Sequence, residues 1–149
     1  MIEGVRMAAR EIIVDERGKI MHMIKRSDKE FGVVGEVYFS WINPGVVKGW
    51  HLHSEMTLNY CCPHGLIKLV LYDDRVGSPT RGEVQEIYLG PECYYLVQIP
   101  PAIWNGFRGI AVYPSMLCNV ATTEYREGEM KRLPWDDCTI PYTWAIKNG

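Results

Sequence analysis

Lys48-Gly49-Trp50-His51-Leu52-His53 is the stretch that decides how this chain reads. In an extended strand, residues two apart point to the same face, so His51 and His53 present both imidazoles to one side. Ahead of it, Trp41-Ile42-Asn43-Pro44-Gly45-Val46-Val47 reads as strand and turn. Beyond it, Leu66-Ile67-Lys68-Leu69-Val70-Leu71-Tyr72 reads as another strand. Two histidines aimed into one cavity have three uses. They ligate a metal, they act as a base and its neighbour, or they are structural groups satisfied by hydrogen bonds.

The same texture runs outward in both directions. Gly and Pro punctuate the chain at short intervals, with β-branched and aromatic runs between them. Strands are expected over 11–14, 20–23, 35–41, 48–53, 57–62, 66–73, 83–89, 94–99, 103–108 and 115–121. Asp15-Glu16-Arg17-Gly18, Pro63-His64-Gly65 and Gly77-Ser78-Pro79-Thr80-Arg81-Gly82 read as turns. No long apolar stripe recurs at helical spacing, and only 28–31 or 127–133 suits a single helical turn. The fold class is therefore all-β, and this many short strands imply a jelly-roll β-barrel or sandwich with a cavity open at one end. One domain over 1–149 is expected, since no linker is evident.

Composition narrows the function. A hydrophobic fraction of 47% with 23% charged residues is that of an ordinary globular domain. A net charge of −2 gives no strong pull toward nucleic acid or anionic membrane, so neither is expected as a partner. Apolar runs are too short to span a bilayer, and Met1-Ile2-Glu3-Gly4-Val5-Arg6 lacks a signal-peptide pattern, which makes the cytoplasm the expected location. The five cysteines are odd in number and form no C-x-x-C pair. Reduced, buried thiols are expected rather than disulfides or a structural zinc site.

Seven landmarks then occur in order. They are Asp15-Glu16-Arg17-Gly18, Val47-Lys48-Gly49-Trp50-His51, Asp73-Asp74-Arg75 with Ser78-Pro79-Thr80, Ile99-Pro100-Pro101, Asn105-Gly106-Phe107, Thr123-Glu124-Tyr125 and Ile140-Pro141-Tyr142-Thr143-Trp144. With these the chain resembles the cupin-type nucleotide-sugar epimerases of the dTDP-4-dehydrorhamnose 3,5-epimerase family, whose signatures are D-x-R-G, R-G-x-H, D-x-R-x-x-S-P-T, I-P, H-G-F, T-D-Y and I-x-W. The resemblance implies a jelly-roll homodimer of carbohydrate (rhamnose-type) biosynthesis, without a cofactor, taking a nucleotide-linked 4-keto sugar as substrate. It implies proton abstraction beside the ketone, with a positioned base and a donor for the enolate. His51 falls on the family's base, Lys48 on the neighbouring arginine and Arg17 on the phosphate-contacting arginine.

Departures from the pattern are equally specific. Asn105 stands where the family has the histidine of H-G-F, and Val120 where it has a catalytic tyrosine. Leu58 or Asn59 stands in place of a lysine that stabilises the enolate, and no aspartate follows Trp144 to hold the base. His53 replaces a glutamine and is a candidate second base or donor. Tyr38, Tyr60 and Tyr72 are further candidate proton donors. Lys48, Lys68, Tyr60, Trp104 and Asn105 are expected to touch substrate, the aromatics by covering a flat ring and Asn105 as both donor and acceptor.

A metal cupin would add a glutamate after H-x-H and a third histidine. Glu55 comes early, and Asn105 offers a borderline metal an amide oxygen instead of a nitrogen, so no metal is expected. Asp136 and Asp137 read as loop charges, and His22 and His64 as surface residues. The expected function is epimerisation or isomerisation beside the keto group, with His51 as base and His53 as its catalytic neighbour. The alternatives are a non-catalytic sugar-nucleotide-binding relative and a metal-dependent cupin enzyme.

Overall fold

A computed structural model describes residues 1–28 and 32–146. Among these residues the regular structure is all strand: β1 (Arg6–Ala9), β2 (Ile12–Asp15), β3 (Gly18–Met21), β4 (Glu36–Ile42), β5 (Val47–His53), β6 (Leu58–His64), β7 (Ile67–Tyr72), β8 (Val84–Leu89), β9 (Tyr95–Ile99), β10 (Trp104–Gly109), β11 (Ser115–Ala121) and β12 (Met130–Arg132). They build a five-stranded sheet in the order β1-β9-β6-β11-β4, a second in the order β12-β5-β10-β7-β8, and the small hairpin β2-β3. Every pairing is antiparallel. The result is a cupin-like jelly roll.

The core lies between the two sheets. Leu58, Tyr60 and Cys62 of β6, Val97 and Ile99 of β9 and Leu117 of β11 meet Ile67, Leu69 and Leu71 of β7, Ile87 and Leu89 of β8 and Phe107 of β10. These are alternate residues of each strand, as a sandwich requires.

Both sheets are also covered outside. Ile12, Met21, Met23 and Ile24, on and after the β2-β3 hairpin, pack over Cys61, Tyr94 and Leu96 on the first sheet. The segment running from Leu133 to Trp144 packs over Trp50, Val70, Tyr72, Val84 and Trp104 on the second. Strands covered on both faces lose their inside-outside alternation, which is why β6 and β7 read as almost continuous apolar runs.

The motif Asp73-Asp74-Arg75 with Ser78-Pro79-Thr80 closes the β7-β8 loop. The fully buried Asp73 carboxylate accepts from Arg75 Nε and Nη2 at 2.9 Å, Ser78 Oγ at 2.6 Å and Thr80 Oγ1 at 2.7 Å. The Arg75 guanidinium leads in holding this carboxyl well below the usual carboxylate range.

Two expectations are corrected. Residues 127–133 do not form a helical turn, because Met130–Arg132 instead adds an edge strand to β5, with Met130 opposite His53 and Arg132 opposite His51. Strand β1, absent from the sequence reading, pairs with β9. The single turn expected over 28–31 falls mostly outside the described residues.

Candidate active site

A cleft of about 240 Å³ opens between the two sheets. Lys48, His51 and His53 of β5 and Arg132 of β12 line one wall. Glu36 and Tyr38 of β4 and Tyr60 of β6 line the other, with Phe107 and Leu117 as apolar floor. A larger hollow of about 520 Å³ lies beside Arg108, Trp135 and Trp144, but no lining residue titrates near neutrality.

Lys48 and His51 are three residues apart and would face opposite ways in a regular strand. The ladder to β10 slips between them: Asn105 faces His51 and Phe107 faces Lys48, so β5 carries one extra residue. This bulge re-aims the strand. Gly49 permits it, since a Cβ there would lie 2.9 Å from Gly106 Cα. Lys48, His51 and His53 thereby share one wall, while Trp50 turns outward into the cluster under the C-terminal segment.

The two histidines differ in their partners. Burial pushes His51 down to about 4, with the charges of Arg132, His53 and Lys48 acting in the same direction. His51 is therefore neutral near pH 7, the form that accepts a proton. His53 Nδ1 lies 2.7 Å from Glu129 Oε2, both side chains being buried. Glu129 Oε1 also accepts from the backbone N–H groups of Glu55 at 3.0 Å and Met56 at 2.9 Å. Burial works to raise the Glu129 carboxyl, but its donors outweigh that and leave it below its ordinary value.

Across the cleft, burial pushes the Tyr60 hydroxyl well above the ordinary phenol value, and the neighbouring Tyr38 acts in the same direction. Its ring meets Phe107 edge-on, with centroids 6.5 Å apart. The Tyr60 phenol thus stands protonated near neutrality, as a proton donor must. Lys48 Nζ donates to Ser40 Oγ at 3.0 Å and to the Trp41 carbonyl at 2.6 Å, which holds its ammonium at the cleft edge.

Other expected contacts lie elsewhere. Lys68 and Trp104 belong to the opposite face of the second sheet. There Lys68 Nζ is 3.9 Å from Glu86 and 5.4 Å and 5.8 Å from the ring centres of Tyr142 and Trp144. Both were expected to touch substrate, but Ile67, Leu69 and Leu71 fill the inner face of β7 and turn Lys68 outward. Tyr72 lies on that outer face too. Asn105 Nδ2 donates to the His51 carbonyl at 3.0 Å, so Asn105 clips β10 to β5 and does not line the cleft.

Arg17 sits at the exposed tip of the β2-β3 hairpin against Asp15, outside the cleft. Glu55 pairs with Arg126 at the surface, away from the histidines. Among the described residues no group of three or more His, Cys, Asp or Glu side chains gathers as metal ligands do. Four cysteines are buried or half-buried, Cys138 is exposed, and all five are free thiols.

Sequence reasoning missed Glu129 and Arg132. Arg132 reaches the cleft through β12, and Glu129 meets His53 just ahead of it; the strand's three-residue Met-Lys-Arg composition carries no strand signal.

The site is thus a cleft between the two sheets of a jelly roll, one wall carrying imidazoles and the other phenols. Residues 1–148 match the family model described as dTDP-4-dehydrorhamnose 3,5-epimerase, and the chain belongs to that family of nucleotide-sugar epimerases. It is 35% identical over 147 residues to "Probable low-salt glycan biosynthesis epimerase Agl13" of Haloferax volcanii, covering 96% of this chain and 94% of that one. It is 31% identical over 146 residues to "Spore coat polysaccharide biosynthesis protein SpsL" of Bacillus subtilis, covering 97% of each. Among solved structures, the dTDP sugar isomerase of Desulfovibrio desulfuricans superposes with a TM-score of 0.95 at 38% identity, covering 99% of this chain and 94% of that chain.

Proposed function

We propose that this chain epimerises a nucleotide-linked 4-keto sugar at a carbon beside the ketone, with His51 as the base. The opposition of the two walls carries the reading: an epimerase must remove a proton from one face of the sugar and return one to the other. His51 takes the carbon-bound proton, the C–H electron pair becomes the C=C bond of an enolate, and the carbonyl π pair moves to oxygen. The Tyr60-Tyr38 pair, on the opposite wall, returns a proton to the other face as the carbonyl re-forms. Solvent then reprotonates the tyrosinate and deprotonates His51. His53 is the second catalytic group.

The cleft's volume of about 240 Å³ falls below the roughly 300–1,000 Å³ of sites that enclose a whole small-molecule ligand. The sugar ring therefore enters and the nucleotide lies across the mouth, with Lys48 and Arg132 meeting its diphosphate. Arg17, 85% exposed, meets phosphate where a second copy brings its hairpin to a cleft, which ties that contact to the homodimer in this reading. Single-domain organisation and a cytoplasmic location belong to the same proposal.

The test is proton NMR in D2O across a panel of 4-keto nucleotide sugars. Deuterium entering one carbon or two beside the ketone, with inverted product, supports the reading. Tight binding with no exchange on any substrate of the panel contradicts it and favours a non-catalytic binding protein.

A further inference from the structure

Among the described residues, His53 and Glu129 form a fully enclosed histidine–carboxylate pair, and the epimerase reading does not by itself explain it. Glu129 Oε1 is taken by two backbone N–H groups, leaving Oε2 for His53 Nδ1. A carboxylate with three donors is ionised and can only accept, so the ring must carry its hydrogen on Nδ1. His53 lines the cleft, and with Nδ1 turned to Glu129 the nitrogen left for a ligand is Nε2.

The enolate formed at the sugar needs a donor on its oxygen, and the cleft has few to offer. Asn59 Nδ2 is committed to the Val120 carbonyl at 2.8 Å, and its Oδ1 accepts from Gln98 at 3.1 Å. Lys48 is held by Ser40 and Trp41 at the edge. Leu58 is apolar and fully buried in the core.

We propose that Glu129 is a positioning residue that divides the labour of the two histidines. By accepting the Nδ1 hydrogen it lets the ring hold a second proton, so that the His53 imidazolium presents Nε2–H to the ketone oxygen as charge builds there, while His51, with no carboxylate, takes the carbon-bound proton. The inference rests on the epimerase reading for its substrate. A charged His53 is among the causes that keep His51 neutral, and neighbours in opposite protonation states suit an acid and a base. No bond to His53 is made or broken beyond the hydrogen bond. The C–H pair flows to the oxygen, Nε2–H stabilises it, and the pair returns when the phenol delivers its proton.

The experiment compares the whole protein with Glu129→Gln, His53→Gln and the double variant. Each is first shown by circular dichroism to be folded, then assayed for kcat and KM of deuterium exchange into whichever 4-keto nucleotide sugar the wild type turns over. Glu129→Gln is expected to lower kcat by about tenfold to a hundredfold, the scale on which partners that orient a functional histidine act, with KM within about threefold. On the His53→Gln background the same change costs nothing further, because it acts only through His53. An unchanged kcat, or full additivity of the two losses, overturns the proposal.

Nitrogen-15 NMR of the imidazoles reads the arrangement without any substrate. His53 carries a hydrogen on both ring nitrogens in the wild type and loses one in Glu129→Gln; a wild-type ring with a hydrogen on one nitrogen alone overturns the proposal. A wild type that exchanges no sugar yet shows the expected ring state sinks the epimerase reading and, with it, the assignment of Nε2 to a ketone oxygen. It leaves Glu129's hold on His53 standing.

Discussion

The second sheet carries basic and aromatic side chains on both faces and uses them differently. On its outer face Trp50 meets Trp144 at 5.1 Å and Tyr142 at 6.0 Å, and Lys68 lies between Glu86 and those two rings. Tyr142 closes the set by donating its hydroxyl to Glu86 at 2.6 Å. On its inner face His51 has no carboxylate, and the Arg132 guanidinium makes no hydrogen bond or ion pair among the described residues. Buried charge with its partners supplied serves the fold. Charge held in a cleft with capacity left open is ready for a ligand.

Substitutions separate the two faces. His51→Asn is expected to cost at least about a thousandfold in turnover, within the range of a lost general base, with the melting temperature barely changed. Trp144→Ala on the outer face should do the reverse. Truncating a buried tryptophan costs about 3–5 kcal/mol, read by denaturant unfolding, while kcat of the folded protein stays within about twofold. If Trp144→Ala instead removed activity from folded protein, the division between the faces would fail.

Lys68→Met tests the same division more gently. It leaves the Glu86 carboxylate short of a partner, an expected loss of about 1–3 kcal/mol in stability, with KM for the nucleotide sugar unchanged. Arg132→Gln, on the inner face, should raise KM about tenfold, the scale of one charge-assisted hydrogen bond, without changing the unfolding midpoint. A KM effect from Lys68 larger than that from Arg132 would reverse the assignment of the faces.

The smallest effect is in pH. Burial holds His51 down at about 4 in the folded protein, below the ordinary imidazole value of about 6.5. Between those values the unfolded chain binds the extra proton, so His51 leaves stability untouched above about pH 6.5 and lowers it as pH falls toward 4. In His51→Asn the acid loss of unfolding free energy should be shallower over that interval. The acid limb of kcat/KM, set by the neutral base of the free enzyme, should likewise sit near pH 4 rather than near 6.5.

The same contrast explains what could be read from the sequence. Strands with β-branched and aromatic runs between Gly and Pro were legible, as was the face shared by His51 and His53, because period-two alternation is local. The face on which Lys68 and Trp104 sit was not legible, because both sides of β7 and β10 are covered by other chain and composition alone does not say which side is the cleft. Lys48 joins His51 through a bulge that depends on Gly49 lying against Gly106 of another strand. Glu129 lies 76 residues from His53. Nothing in Glu127-Gly128-Glu129 announces a partner until β12 aligns Met130 with His53. Asn105 looked like a substrate contact because its position in the family motif holds a histidine, but its Nδ2 donates to the His51 carbonyl and the side chain stays out of the cleft.

The central claim is that His51 is the base facing a phenol across the cleft. It is tested most directly by solvent-deuterium exchange into a 4-keto nucleotide sugar that the wild type turns over, followed by NMR for wild type, His51→Asn and Tyr60→Phe. The account predicts that His51→Asn abolishes exchange, while Tyr60→Phe still washes deuterium into the original configuration but forms the inverted product at least about tenfold more slowly. Exchange at the wild-type rate in folded His51→Asn would contradict it.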